Sequence, residues 1–273
     1  MRVFASFLAA RLVLIGALAL AAPAAAAPRR AASLNLCTDE LLLLLAAPDQ
    51  IVSVTHLAQQ QAETPLWRQA RRYARNDGSL LSVAPMRPDL VVTMGGGGGA
   101  DRLRIARRLG IRTLDLPFAQ SLADVEAGIR RVAAALGRPQ AGVALLREIA
   151  ALKAARPPAR LDTIWLGGGG RTVAASGLEA QWMALAGMRQ RVMQGDRVSL
   201  ETLLARPPAL LLRSDYRAGQ YSSGQRWLAH PAARRGGVGT RAVATDGRRW
   251  TCMGPLLIGE IRRLRGVLRT LSR

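Results

Sequence analysis

A chain of 273 residues that is 49% hydrophobic and 21% charged can bury a sizeable core, which excludes wholesale disorder, and its two cysteines are too few for a disulfide-built miniprotein. The formal charge is +21, from 39 basic against 18 acidic residues, and every base except Lys153 is arginine. The arginines are spread through nearly every segment, whereas a nucleic-acid face gathers its cations on one element, so no nucleic-acid partner is expected.

In chain order the first feature is an export signal. Arg2 gives a positive start, residues 12–22 form a run of eleven apolar or small residues, and 23–27 supply small residues for a cleavage site. Eleven residues are too few to span a bilayer, and no later stretch reaches the roughly 18 apolar residues a membrane helix needs. The signal peptide is expected at 1–26, with the cut near Ala26, and no cysteine follows it to carry a lipid anchor. Losing Arg2 and Arg11 lowers the charge from +21 to +19, and export places the mature chain in the periplasm, where disulfides can form.

The mature chain then alternates short aliphatic runs with helix-like stretches, the pattern of a parallel sheet covered by helices. Strands are expected at 32–36, 51–55, 90–94 and 112–116. Helices are expected at 39–46, capped by Thr38, and at 101–109, closed by Gly110. Ser121 opens a third helix that ends at Gly137, and Pro139 starts a fourth reaching about residue 155, where Pro157 and Pro158 stop it. Sixteen residues at about 1.5 Å each make a rod of roughly 24 Å, long enough to connect two lobes. A second α/β pattern follows, with strands near 163–166, 210–213 and 241–244 and a last helix at about 255–271. The fold class is therefore α/β: two lobes, 27–138 and 157–273, joined by a connecting helix at 139–156. Residues 81–91 echo 200–210 at a constant offset of 119, which pairs Ser82 with Glu201.

In open parallel sheets ligands sit outside the carboxyl ends of the strands. The residues expected there are Cys37, His56, the glycines of 95–99 and Phe118 in the first lobe. In the second they are the glycines of 167–170, Tyr216, Trp250 and Cys252, with Tyr221 and Trp227 in a long Gly/Ser-rich loop. Trp67 and Tyr73 also fall in expected loops. Such rings can stack on a flat or chelate-like ligand while arginines meet its negative groups; the alternative for each ring is ordinary packing. The ligand-contact set is thus His56, Trp67, Tyr73, Gly95, Gly96, Tyr216, Tyr221, Trp227 and Trp250.

Gly95, Gly97 and Ala100 fit the GxGxxG/A spacing, and Asp115 lies twenty residues beyond Gly95, as a dinucleotide site requires. Five consecutive glycines match any glycine spacing, however, and the loop does not follow the first strand of its unit, so a ligand-approaching cleft loop is the preferred reading. Two histidines, His56 and His230, and two cysteines do not assemble a four-ligand zinc site, and no HExxH, CxxC or GxSxG occurs, so neither metal ligation nor a bound cofactor is expected. Cys37 and Cys252, the only cysteines, either form a disulfide tying the lobes or remain as free thiols near the cleft.

The segments Ser33-Leu34-Asn35-Leu36-Cys37-Thr38-Asp39-Glu40-Leu41, Arg87-Pro88-Asp89-Leu90-Val91-Val92, Leu109-Gly110-Ile111-Arg112-Thr113-Leu114, the helical region 121–155 and Val198-Ser199-Leu200-Glu201 carry a family resemblance. Together, in this order, the mature chain resembles the periplasmic solute-binding proteins of importers for cobalamin, haem and ferric siderophores. The resemblance implies two Rossmann-like lobes joined by a single rigid backbone helix, a metal chelate held in the cleft between them, and delivery to an ATP-driven (ABC) permease of the inner membrane. It also implies that Glu201 docks on permease arginines, while Ser82 replaces the carboxylate usual in the first lobe. A monomeric binding protein that is not an enzyme is the resulting expectation. An exported nucleotide-dependent oxidoreductase and a basic polyanion binder are the alternatives.

Overall fold

The computed structural model describes residues 27–96 and 100–271; the expected leader and Gly97 to Gly99 lie outside these. Five strands form one parallel sheet: β1 (Ala31–Ser33), β2 (Ile51–Thr55), β3 (Ala74–Asn76), β4 (Leu90–Met94) and β5 (Arg112–Leu116), in the order β3-β2-β1-β4-β5. Four more form a second: β6 (Leu161–Leu166), β7 (Met188–Gln190), β8 (Leu210–Ser214) and β9 (Arg241–Thr245), in the order β7-β6-β8-β9. Every pairing is parallel, so both faces of each sheet are covered and β4 reads Leu-Val-Val-Thr with all four residues buried.

The helices of the first half are α1 (Leu36–Leu45), α2 (Trp67–Ala70), α3 (Leu80–Val83), α4 (Ala100–Arg108), α5 (Leu122–Ala135) and α6 (Pro139–Ala154). Those of the second are α7 (Leu178–Leu185), α8 (Leu200–Ala205), α9 (Ser223–Ala229), α10 (Pro231–Arg235), α11 (Gly247–Thr251) and α12 (Leu257–Leu271). On the first sheet α1 and α5 cover one face through Leu42, Leu45, Ile129 and Val132, and α3 and α4 cover the other through Leu80, Val83 and Ala106. On the second sheet α7 and α12 lie on one face, and Leu203, Leu228 and Ala233 of α8 to α10 on the other.

Between the sheets runs α6, started by Pro139 in its first turn, burying Ile149 and Leu152 and packing against α5 and α12. It is not the sole connection. One apolar core passes from α1 and α5 through α6 into α7 and α12, so the base of the molecule is a continuous packed layer. Among the described residues no helix is long and apolar enough to cross a membrane.

Several expectations are corrected. The cap of α1 is Asn35, whose side chain accepts from the Cys37 amide at 2.8 Å, so the helix starts before Thr38; the Thr38 hydroxyl is buried against Ser33 Oγ at 2.7 Å. Part of the supposed Gly/Ser-rich loop is α9, because Ser222 caps it by accepting from the Gln225 amide at 3.1 Å. The edge strands β3 and β7, reading Ala-Arg-Asn and Met-Arg-Gln, had no sequence signature, since neither holds a β-branched or aromatic residue.

Candidate ligand cleft

The strand orders fix where a ligand can enter. In the first sheet the chain moves outward one way from β1 and the other way from β4, so α1 and α4 leave on opposite faces and a crevice opens beyond the carboxyl ends of β1 and β4. In the second sheet the same divergence occurs between β6 and β8. The loops at these two switch points carry Cys37 and Gly95 on one side and the glycines after Leu166 and Tyr216 on the other. Four of the expected positions are thereby brought to the carboxyl edges.

These edges face each other across the seam. Cys37, in the first turn of α1, is bonded to Cys252 after α11, with Cα atoms 5.2 Å apart and a sequence separation of 215. Beneath the bond a cavity of about 80 Å³ is lined by Glu40, Met94, Leu116 and Arg131 from the first lobe and Pro255 from the second. On another part of the seam the Glu63 carboxylate, 5% exposed, accepts from the Tyr216 hydroxyl at 2.7 Å and from Arg217 Nη2 at 2.6 Å. Arg248 donates to the Gln61 carbonyl at 3.0 Å and is itself held by the Asp246 carboxylate. Burial, followed by the bond to Glu63, raises the Tyr216 pKa above its ordinary value. Tyr216 is therefore a bridge between lobes before it is a ligand contact. Arg217 adopts φ +55°, a backbone region disfavoured for a side-chain-bearing residue, so the bridging turn is strained.

Two acids sit behind the α1 turn. Asp39 accepts from the Thr55 amide at 3.0 Å and its hydroxyl at 2.5 Å, pinning the end of β2; burial nonetheless pushes its pKa up to about 6. Glu40 receives one bond, from the Thr64 hydroxyl at 2.8 Å, and its second oxygen is buried with no partner. Burial pushes the Glu40 pKa up to about 8, so at neutral pH it is mostly uncharged.

The glycine loop is explained without a nucleotide. Gly95 has φ +74°, and a Cβ there would stand 2.4 Å from the Phe118 ring. The Gly96 amide donates to Asp115 Oδ2 at 3.0 Å, so Asp115 secures the loop. On the opposite lobe Gly170, φ +78°, lies under the Trp227 ring and against the Val198 carbonyl.

The expected aromatic contacts divide. Tyr221 is 88% exposed, with Arg226 over its ring at 5.6 Å, and Phe118 is 61% exposed. His56 is exposed beyond β2, its amide bonded to the Asn76 carbonyl at 2.8 Å. Trp67 begins α2 with Arg68 and Arg71 at 4.3 and 4.5 Å from its ring, and Tyr73 is half-buried against the main core. Trp227 belongs to α9 and packs on the second core. Trp250 is the clear correction: it lies in α11, 4% exposed, its indole N–H bonded to Thr245 Oγ1 at 2.8 Å and its ring edge-to-face with Trp165. Pattern alone could not separate it from a cleft aromatic, because Asp246 caps that short helix from a Gly/Arg-rich stretch. Glu63, Arg217, Arg248 and Glu40 were not foreseen.

Glu201 is exposed in the first turn of α8, its pKa lowered by backbone amide donation and the Ser199 hydroxyl. The repeat between lobes is better set by structure than by letters. Ser79 and Ser199 each cap a helix, accepting from the amide three residues on, and β4 and β8 are both five residues long. That register is 120, not 119, and it sets Leu81, 80% exposed, opposite Glu201 in place of Ser82.

Among the described residues no group of three or more His, Cys, Asp or Glu side chains could hold a metal ion. A family profile described as periplasmic binding protein matches residues 32–236. Similar solved structures include the periplasmic haem-binding protein RhuT from Roseiflexus sp. RS-1, with TM-score 0.64, 21% identity, and coverage of 90% of this chain and 99% of that one. The periplasmic vitamin B12 binding protein BtuF of Vibrio cholerae gives TM-score 0.62 at 15% identity, covering 90% and 98%. A possible iron-binding periplasmic solute-binding protein from Staphylococcus epidermidis gives 0.64 at 14%, covering 89% and 99%. A search of the curated proteins finds no match.

Proposed function

Because the chain belongs to the periplasmic binding protein family, we propose that it is the exported substrate-binding component of an ABC importer, capturing a metal-chelate nutrient between its lobes and handing it to an inner-membrane permease. The chelate is a ferric siderophore, haem or a corrinoid. The observation that carries this reading is the alignment of two switch-point crevices, one per sheet, across a single seam. Structurally similar proteins described as binding haem and vitamin B12 support the ligand class.

The roles follow from exposure. Tyr221 and Phe118 offer ring faces to a flat ligand, and His56, Gly95 and Gly96 line the first-lobe approach. The seam arginines Arg217 and Arg248, and Arg226 beside Tyr221, suit carboxylate, phosphate or catecholate groups through paired hydrogen bonds. Ligand entry competes with the Glu63 bridge, since Tyr216 and Arg217 both donate to it. Glu201 is the docking carboxylate, and exposed Leu81 replaces its counterpart on the first lobe.

Thermal shift of the mature protein against haemin, cobalamins and a set of ferric siderophores tests the reading. One chelate class should stabilise the fold by about 2.7 kcal/mol when present at a hundred times its dissociation constant. Uniform indifference to the whole panel would overturn the reading.

A further inference from the structure

A second cavity lies at the opposite edge from the cleft. It measures about 750 Å³ and opens where α6 enters the second lobe, beneath the amino-terminal ends of β6, β8 and β9. This is within the range of cavities that hold small molecules, roughly 300–1,000 Å³. Pro157, Leu161, Leu268 and Leu271, all half-buried, give it apolar walls. Arg160, Arg241, Arg262, Arg265 and Arg269 all line it, and among the described residues no acidic one does. Five of the fourteen lining residues are arginine.

The rim charges have different commitments. Arg265 donates to the Leu185 and Leu152 carbonyls, both at 2.6 Å, and so already satisfies the carbonyl ends of α7 and α6. Arg262 is paired with Glu148 at 2.9 Å. The side chains of Arg160 and Arg241 make no hydrogen bond or ion pair among the described residues, and neither serves a helix end. Burial, then the charges of Arg262 and Arg269, hold the Arg265 pKa below its ordinary value.

From this partly apolar cavity and the two side chains, Arg160 and Arg241, that make no hydrogen bond or ion pair among the described residues, we propose a second binding site, for a free single-chain amphiphile with an anionic head group. The chain lies along Leu161, Leu268 and Leu271, and the head is met by Arg160 and Arg241. The site is independent of the cleft because it uses the other ends of the same strands. It takes a ligand of different chemistry and does not require the chelate reading to hold.

The test is a binding titration of mature protein with dodecanoate, kept below its micelle concentration, beside dodecanol as a neutral twin of equal chain length. Dodecanoate should bind at least tenfold more tightly than dodecanol. The variant R160E/R241E should lose at least tenfold in dodecanoate affinity with its melting temperature and circular dichroism unchanged, and either single variant should lose less. Equal binding of the two amphiphiles, or undiminished binding by a folded double variant, would overturn the proposal. So would binding to phosphatidylglycerol vesicles through the same arginines without binding of free dodecanoate, which would make the rim a membrane-surface contact.

Discussion

Glu40 illustrates how burial governs an acid that finds only one donor. Its neighbours in charge are Asp39 on its own helix and Arg249 and Asp246 from the second lobe, and burial outweighs them all. Because its folded pKa, about 8, lies above the ordinary 4.5, the folded protein holds the proton more tightly than the unfolded chain. The resulting stabilisation is complete below about pH 4.5 and is lost as the pH rises towards 8. Asp39, raised to about 6, acts in the same direction over a lower range. The melting temperature should therefore fall between pH 5 and 8, and Glu40→Gln, which mimics the neutral acid, should flatten that slope; an unchanged slope would show that Glu40 is charged throughout. Gly95 is a second case at this scale. Besides the ligand approach expected of it, its bare Cα admits the Phe118 ring. Gly95→Ala should destabilise by about 1–3 kcal/mol in chemical denaturation, since it combines a positive φ with that contact.

Among the elements, those with strong periodicity or caps were legible: β2, β4 and β5 fall where the aliphatic runs placed them, and α5 and α6 start at Ser121 and Pro139 as expected. What escaped was short or fixed by distant partners. The Glu63 bridge joins residues more than 150 apart, and nothing in Gln59-Gln60-Gln61-Ala62-Glu63 foretells Tyr216. Tyr216→Phe should cost about 1–2 kcal/mol, since a buried carboxylate loses a donor. The disulfide closes a much longer loop than the bridge does and ties the same two edges. Replacing both cysteines by serine should lower stability by roughly 2–5 kcal/mol while leaving the fold intact by circular dichroism. Loss of folding in that variant would mean that the shared core cannot hold the lobes by itself. At α8, Glu201→Ala should leave ligand affinity unchanged and reduce uptake; undiminished uptake would remove the docking role.

For the whole molecule, the two-sheet plan was readable because it depends on alternation and chain order, which the sequence carries directly. Only the resemblance to importer binding proteins added a ligand class. Which faces of the lobes touch was not readable, because it rests on contacts among loops whose residues have no periodicity. The structure adds a packed base and a polar bridge to the expected rod, and Cys37 and Cys252 form the expected disulfide, so lobe motion is confined to small changes at the seam. Hydrogen exchange of the mature protein, with and without the chelate that stabilises it, addresses the central claim most directly. Protection should appear on both lobes together, at residues 56–64 and 94–96 of the first and 167–170 and 214–221 of the second. Protection confined to one lobe, or to the amino-terminal strand ends on the far side, would contradict a ligand held between the two sheets.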